Sequence, residues 1–395
     1  MNYVLFDPHW RRQLLPFTHT RPVADIRCGI MTMRERWEHF CATDTSTLCP
    51  DYMQGVFPHA GAGACLYLNG AVFADAQLWK AVSSLQAGQA LIAGTMIVAV
   101  CTDESWTKPY ESFEVFAQTN DMVVYDGSAA CLQQVWDIFR QNGKAIGEDF
   151  ALLTQGRSSA PVPEYVTTVN SGQIFIEPGA VIAPCILNAS SGPIYIAADA
   201  EIMDGSLVRG PFALGKHAVL KMGAKVYGPT TIGDGCKVGG EVSNVVFFAN
   251  SNKGHDGFLG NTVVGEWCNF GADSNCSNLK NNYDLVKIWD EDADKLINTG
   301  LQFCGLMMGD HSKCGINTMF NTGTIVGVSA NIFGSGFPDK FVPSFSWGAC
   351  DSTEVYQFDK AMETAGRMME RRGKTMSEAE KAMLQYVFDH RKHSH

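Results

Sequence analysis

The segment 252–284, NKGHDGFLGNTVVGEWCNFGADSNCSNLKNNYD, carries the residue types that group transfer to an amine requires. The imidazole of His255 titrates near neutrality, so it can take the proton of an attacking amine as a neutral base. Asparagine amides and backbone N–H groups are donors for the oxyanion that develops at a thioester carbonyl. Lys253, two residues before the histidine, could neutralise a phosphate on the acceptor. A lone loop histidine is more often a solvated surface group. The catalytic reading of His255 rests on its position, at a break in a repeat and ahead of Asn- and Tyr-rich loops.

A second group lies near the start of the chain. Arg11, Arg12, Arg21 and Arg27 could hold a triphosphate, because the planar guanidinium matches phosphate oxygens bidentately. Asn69, in the Leu68–Gly70 stretch, offers an amide to a base or ribose. The competing reading makes Thr20–Pro22 a structural turn and the arginines surface charges, and the two stand level. Asp7, Asp25 and Asp121 are candidate carboxylates for a divalent cation, without a firm ligand set.

The elements that must position these groups come from the repeat. From Ile196 every sixth residue is aliphatic: Ile196, Ile202, Val208, Leu214, Leu220, Val226, Ile232 and Val238. Eight consecutive hits arise by chance at about one in 10⁵ per phase. The pattern begins at Ile176 and Ile182, and returns as Leu259, Val264, Phe270 and Cys276, then as Met308, Cys314, Phe320, Val326 and Ile332. A period of six fits neither an α-helix nor a simple strand. It predicts a parallel β-helix of three short flat faces, with anchors pointing inward and glycines such as Gly215, Gly233 and Gly271 at tight turns after them. Breaks are expected near 243–258 and at 279–303, the second an extruded loop.

Residues 1–155 alternate apolar runs (YVLF, ACLYLNGAVF, ALIAGTMIVAV) with helical patterns, which predicts an α/β layer domain. A Ser/Pro-rich linker covers 156–168, the β-helix 169–348, and helices 349–395. Asp351 or Ser352 is expected to cap the first C-terminal helix, and Ser377 with Glu380 resembles a capping box for the second. The HRKHSH tail is expected to be frayed and solvated.

Several of these motifs resemble the GlmU family of bifunctional sugar-1-phosphate uridyltransferases and acetyltransferases. In its β-helix the chain has His255, then the rungs at Leu259, Val264 and Phe270, each with a following glycine, and an Asn-Tyr-Asp at 282–284. The resemblance implies a left-handed β-helix, with His255 as base, Asn269 and Tyr283 as active-site partners, and Asn282 beside them. It implies that Lys221 and Lys287 bind the acceptor's phosphate or carboxylate. Acetyl-CoA is then the cosubstrate, lying between adjacent copies of a homotrimer, against His311, Gly315, Thr318, Gly323 and Ser329. The run PFTHTRPVADIRCG (16–29) resembles the start of a GlmU-like family in which an abbreviated nucleotidyltransferase-like domain precedes the β-helix. That likeness implies UTP and Mg²⁺, although the Gly-rich phosphate loop of full nucleotidyltransferases is absent and FDPHWRRQLLP stands in its place. Four extra residues, LKNN, precede the Tyr-Asp pair, which reshapes the acceptor pocket relative to the family. The expected reaction is N-acetylation of an amino-sugar phosphate coupled to UDP-sugar formation. The alternatives are acyl transfer alone with a regulatory N-domain, and a non-catalytic sugar-nucleotide-binding scaffold.

Bulk properties bound these readings. With 30 Lys and Arg against 41 Asp and Glu, the formal charge of −11 argues against non-specific nucleic-acid binding. No apolar run approaches the ~18 residues of a membrane span, and the N-terminus lacks a secretory pattern. The 13 cysteines are scattered without a CxxC pair, as expected of reduced thiols in a cytoplasmic protein. The ligands implied are a sugar phosphate and a nucleotide.

Overall fold

The computed structural model describes residues 1–59, 63–106, 121–350 and 353–392. The N-terminal part is built on a six-stranded sheet in the order Ser46–Leu48, Asn2–Phe6, Cys65–Asn69, Met96–Thr102, Gln89–Ala93 and Asp121–Val124. The first three strands are parallel, and Met96–Thr102 runs antiparallel to both of its neighbours. Every residue of Cys65–Asn69 is buried, as a central strand covered on both faces requires. Helices Met33–Cys41 and Ala76–Val82 pack on the sheet, and Asp137–Thr154 packs on the solenoid. The first is fixed at its start by a capping box, in which Thr32 Oγ1 accepts from the Glu35 amide at 3.1 Å.

The second part is a parallel β-solenoid, so the fold class read from the six-residue period is the one observed. One face stacks Ile176, Ile196, Leu214, Ile232, Phe247, Val264, Met308, Val326 and Val342 in one inward column. Another stacks Ile182, Ile202, Leu220, Val238 and Lys253, while the residue before each points outward. That outward column passes through Lys237, Asn252, Asn269 and Lys313.

The glycines that follow the anchors serve close approach rather than left-handed backbone. A Cβ on Gly233 would lie 1.5 Å from the Phe248 carbonyl oxygen of the next coil. The left-handed conformation falls two residues further on, at His217, Asn250, Trp267, His311 and Ser329, all with φ between +55° and +60°. His217 and His311 are therefore corner residues.

The coils continue through the expected break near 243–258, but the spacing does shorten there: the successive anchors Val238, Val242 and Phe247 are four and five residues apart. Phe247, Lys253 and Leu259 keep the six-residue spacing, and all three are buried. The repeat looked interrupted because its register shifts between Val238 and Phe247 and a lysine then occupies an aliphatic column. The Lys253 ammonium donates to three backbone carbonyls, those of Gly239 at 3.1 Å, His255 at 2.7 Å and Asp256 at 3.2 Å. Each N–H thus has a partner, which is what makes a charge tolerable inside the coil.

The 279–303 segment does leave the solenoid. It forms the antiparallel hairpin Lys287–Asp290 with Lys295–Asn298, which lies against the N-terminal domain. There His19 Nε2 meets Glu291 at 3.0 Å and Arg12 pairs with Asp292. A continuous apolar cluster runs from Leu14, Phe17 and Phe139 to Val246, Phe248 and Met307, so the two parts share a core.

Helices Phe358–Glu370 and Glu378–Asp389 close the chain. The expected capping box on the second is present, with Ser377 Oγ accepting from the Glu380 amide at 3.1 Å. The first begins after Gln357, and Asp351 and Ser352 lie outside the described residues, as do 393–395 of the tail. Both helices pack on Val328 and Phe345, and Tyr386 stacks on Tyr52 of the N-terminal domain with centroids 4.0 Å apart. Ten of the 13 cysteines are buried. No helix among the described residues is long and apolar enough to cross a membrane.

Two outcomes follow. Gly233→Ala should destabilise by about 3 kcal/mol or more through backbone overlap, whereas Gly366→Ala, in a helix with open space at its Cβ, should stabilise by about 0.5–1 kcal/mol. Denaturant unfolding compares them, and a Gly233→Ala protein as stable as the parent would contradict this coil spacing. Burial pushes the Lys253 ammonium down to about 8 from 10.5. Between those values the unfolded chain binds the extra proton, so the parent should gain stability relative to Lys253→Met as pH rises from 8 to 10. Unfolding free energies measured at pH 7, 8, 9 and 10 give this difference, which should be flat below pH 8.

Candidate functional site

A cleft of about 590 Å³ opens on the outward column of the Lys253 face, between the solenoid and the end of the first C-terminal helix. His255, Asn269 and Lys221 line it together. Asn252 and Asn269 occupy paired outward positions on neighbouring coils, with Nδ2 of the first 3.4 Å from Oδ1 of the second. His255 is exposed and sits in a short loop whose backbone is held from beneath by Lys253. The loop is also tied to the next coil: the Phe258 amide donates to Asn275 Oδ1 at 2.8 Å, and the Asp273 amide to the Asp256 carbonyl at 3.1 Å. Lys253 therefore does not face the cleft as a phosphate ligand. It is 2 % exposed and fixes the loop that presents His255.

The sequence reading missed three cations on this cleft: Lys237, Arg371 and Arg372. Lys237 was legible in principle, since it precedes the anchor Val238 and so points outward. The arginines were not, because they come from a helix more than 100 residues away in sequence. Arg372 latches that helix end to the solenoid, donating to the Gly235 carbonyl and to Asn252 Oδ1 at 2.8 Å.

The remaining candidates lie elsewhere. Tyr283 is 67 % exposed and stands in the loop before the hairpin, with Asn282 beside it and Lys287 on the first hairpin strand. None of the three lines the cleft of its own chain. The five residues assigned to acyl-CoA do not share one groove. Thr318 donates to the Gly315 carbonyl at 2.9 Å, Gly323 lies beneath the hairpin at the Lys287 carbonyl, and Ser329 is buried with its amide on the Asp310 carbonyl. The His311 ring stacks with Trp267, centroids 6.3 Å apart, and burial with the nearby Lys313 ammonium pushes its pKa down to about 3.

The N-terminal set is engaged within the fold. Arg21 is buried and pairs with Glu266 at 2.9 Å and with Asp310 of the solenoid. Asp310 also accepts from Thr20 Oγ1 at 2.6 Å. Arg11 pairs with Asp7 at 2.9 Å, and Arg27 donates to the Ile30 carbonyl. Asn69 is buried, donating to the Ile97 carbonyl and accepting from the Ala71 amide, at 2.9 and 3.0 Å. Asp7 and Asn69 end the parallel strands Asn2–Phe6 and Cys65–Asn69, where open α/β sheets receive ligands. Here the chain fills that position itself. Of the candidate carboxylates, Asp7 and Asp25 are held by Arg11 and Arg34, and Asp121 starts a strand. Among the described residues no three metal-binding side chains converge.

Residues 3–158 match the family model described as sugar nucleotidyl transferase. The chain is 25% identical over 161 residues to "Uncharacterized acetyltransferase YaiX" of Escherichia coli O6:K15:H31, covering 40% of this chain and 69% of that protein. It is 30% identical over 144 residues to the bifunctional sugar-1-phosphate nucleotidylyltransferase/acetyltransferase of Sulfurisphaera tokodaii, covering 36% of this chain and 35% of that one. It is 29% identical over 120 residues to the bifunctional protein GlmU of Methanocaldococcus jannaschii, covering 30% of this chain and 27% of that one. The chain thus spans about a third or less of the length of these two bifunctional relatives. The match to the sugar nucleotidyl transferase model is confined to the N-terminal part of the chain.

Proposed function

We propose that the chain is an acetyl-CoA-dependent N-acetyltransferase acting on an amino-sugar phosphate, with His255 as its base. The observation that carries this reading is the convergence of His255, Asn269 and Lys221 on one cleft. The acceptor nitrogen attacks the thioester carbonyl, so that an N–C bond forms and the oxyanion draws on the Asn269 amide and backbone N–H groups. The C–S bond then breaks. His255 takes the amine proton and returns it to the departing thiolate, leaving an amide and a free thiol. Lys253 acts as a positioning residue for this base.

A homotrimer fits the scheme, because Tyr283, Asn282 and Lys287 are then free to serve a neighbouring copy's cleft, with the acyl-CoA between copies. Thr318, Gly323 and Ser329 are buried, so on this reading Gly315 and the half-buried His311 are the members of their set better placed to meet the pantetheine arm. The cell compartment consistent with acetyl-CoA and reduced thiols is the cytoplasm.

A second activity, uridylyl transfer from UTP to give a UDP-N-acetyl sugar, is favoured by the family match of residues 3–158. The engagement of Arg11, Arg21 and Asn69 favours instead an N-terminal domain that docks and orients the solenoid. Pyrophosphate release from UTP and N-acetylglucosamine-1-phosphate separates these two roles.

The decisive assay is acetyl-CoA thioester consumption with glucosamine-1-phosphate. His255→Ala should lose about 10²-fold or more in turnover, as removal of a general base does. Equal rates for parent and variant would remove His255 from the chemistry.

A further inference from the structure

We infer that the end of the first C-terminal helix is part of the acceptor site, where Arg371, with Lys237 and Lys221, clamps a phosphate monoester beside His255. This rests on the acyl-transfer reading for the identity of the acceptor, but not for the existence of the anion site.

Four cations line the cleft (Lys221, Lys237, Arg371 and Arg372), and among the described residues no carboxylate does. In a chain of net charge −11 such a cluster is not the average surface. Arg372 is already committed to the Gly235 carbonyl and Asn252, which sets the helix end in place. Among the described residues, Lys221, Lys237 and Arg371 form no salt bridge, so three cations remain for a ligand. Cations at a helix C-terminus are favoured by the helix dipole, and that alone accounts for two arginines after Glu370. It does not account for their facing two lysines from neighbouring coils across a cleft that also holds a histidine base and an asparagine pair. Like charges gathered without counter-charges raise one another's energy, and a phosphate dianion relieves that cost while matching a guanidinium bidentately. An amine on the same ligand would be repelled by the cations and so directed away from them, toward the His255 end.

The experiment compares the parent with Arg371→Ala, Lys237→Ala and Arg371→Lys. Arg371 and Lys237 are exposed, so these variants should keep the parent's thermal midpoint, which is checked first. Calorimetric binding of glucose-1-phosphate, which has no amine to react, reads the site without catalysis. Arg371→Ala should weaken it about tenfold or more, added salt should weaken the parent, and Arg371→Lys should recover part of the loss. In the acyl-transfer assay the KM for glucosamine-1-phosphate should rise by a similar factor, with kcat and the KM for acetyl-CoA unchanged. If glucose-1-phosphate binds equally to the parent and to Arg371→Ala, the clamp is wrong. It is equally wrong if the loss falls on acetyl-CoA alone, because the cations then hold the phosphates of the donor. Binding that depends on Arg371 without any acyl transfer would leave the clamp standing and overturn the acyltransferase reading. Turnover of glucosamine and its phosphate at equal efficiency, unmoved by Arg371→Ala, would do the reverse.

Discussion

Everything in the C-terminal part depends on how closely one coil can lie on the next. Adjacent coils are a single backbone hydrogen-bond spacing apart, so a residue with a Cβ cannot stand at Gly233 or Gly271, whose Cβ would lie 1.5 and 2.3 Å from backbone atoms of the following coil. That spacing forces the side chains into columns. Inward columns must be apolar or fully satisfied, and outward columns form straight rows about one strand separation apart. The row Lys237, Asn252, Asn269 and Lys313 is such a consequence. Chemistry placed on it is held by the fold itself rather than by a flexible loop.

Lys253 meets this rule in its second form, as an inward charge that is fully satisfied. A charged residue in an aliphatic column is costly, and burial pushes its pKa down to about 8. Its three carbonyl acceptors include two from the loop of His255, so the ammonium holds the histidine's backbone from inside the solenoid. The cost falls on stability and the gain is an imidazole with a defined position. A buried charge retained in this way is weak support for stability and better support for specific geometry.

This constraint also decides what could be read from the sequence. The anchors Ile196 to Val238 revealed the solenoid because each satisfies a local rule of period and apolarity. The Ser377–Glu380 box was legible for the same reason, since both partners lie within one turn. Lys253 was misread as a cleft residue because residue type argues for the surface, and only the column shows otherwise. Arg21 looked like a phosphate ligand because its partners Glu266 and Asp310 are 245 and 289 residues away. In the same way, nothing local to the RRG after Glu370 says that a helix will lie along the solenoid and bring it to His255. Properties fixed by short-range pattern were visible, and properties fixed by long-range pairing were not.

The pairing of Arg21 with Glu266 and Asp310 gives the N-terminal domain a different character from its family label. Arg21, which would grip a nucleotide, is instead ion-paired across the boundary, over a shared core that includes Phe17, Phe139 and Phe248. Removing one partner of such a buried pair leaves an uncompensated charge, so the contact resists loss once formed. The domain is thereby bound to the solenoid and to the C-terminal helices, through Tyr52 on Tyr386. Those helices in turn carry Arg371 to the cleft. The family domain thus acts on the cleft indirectly, as one support of the helix pair that forms its cationic wall. With the rest of the surface net negative, that wall is where an anionic ligand is drawn by the field as well as by contact.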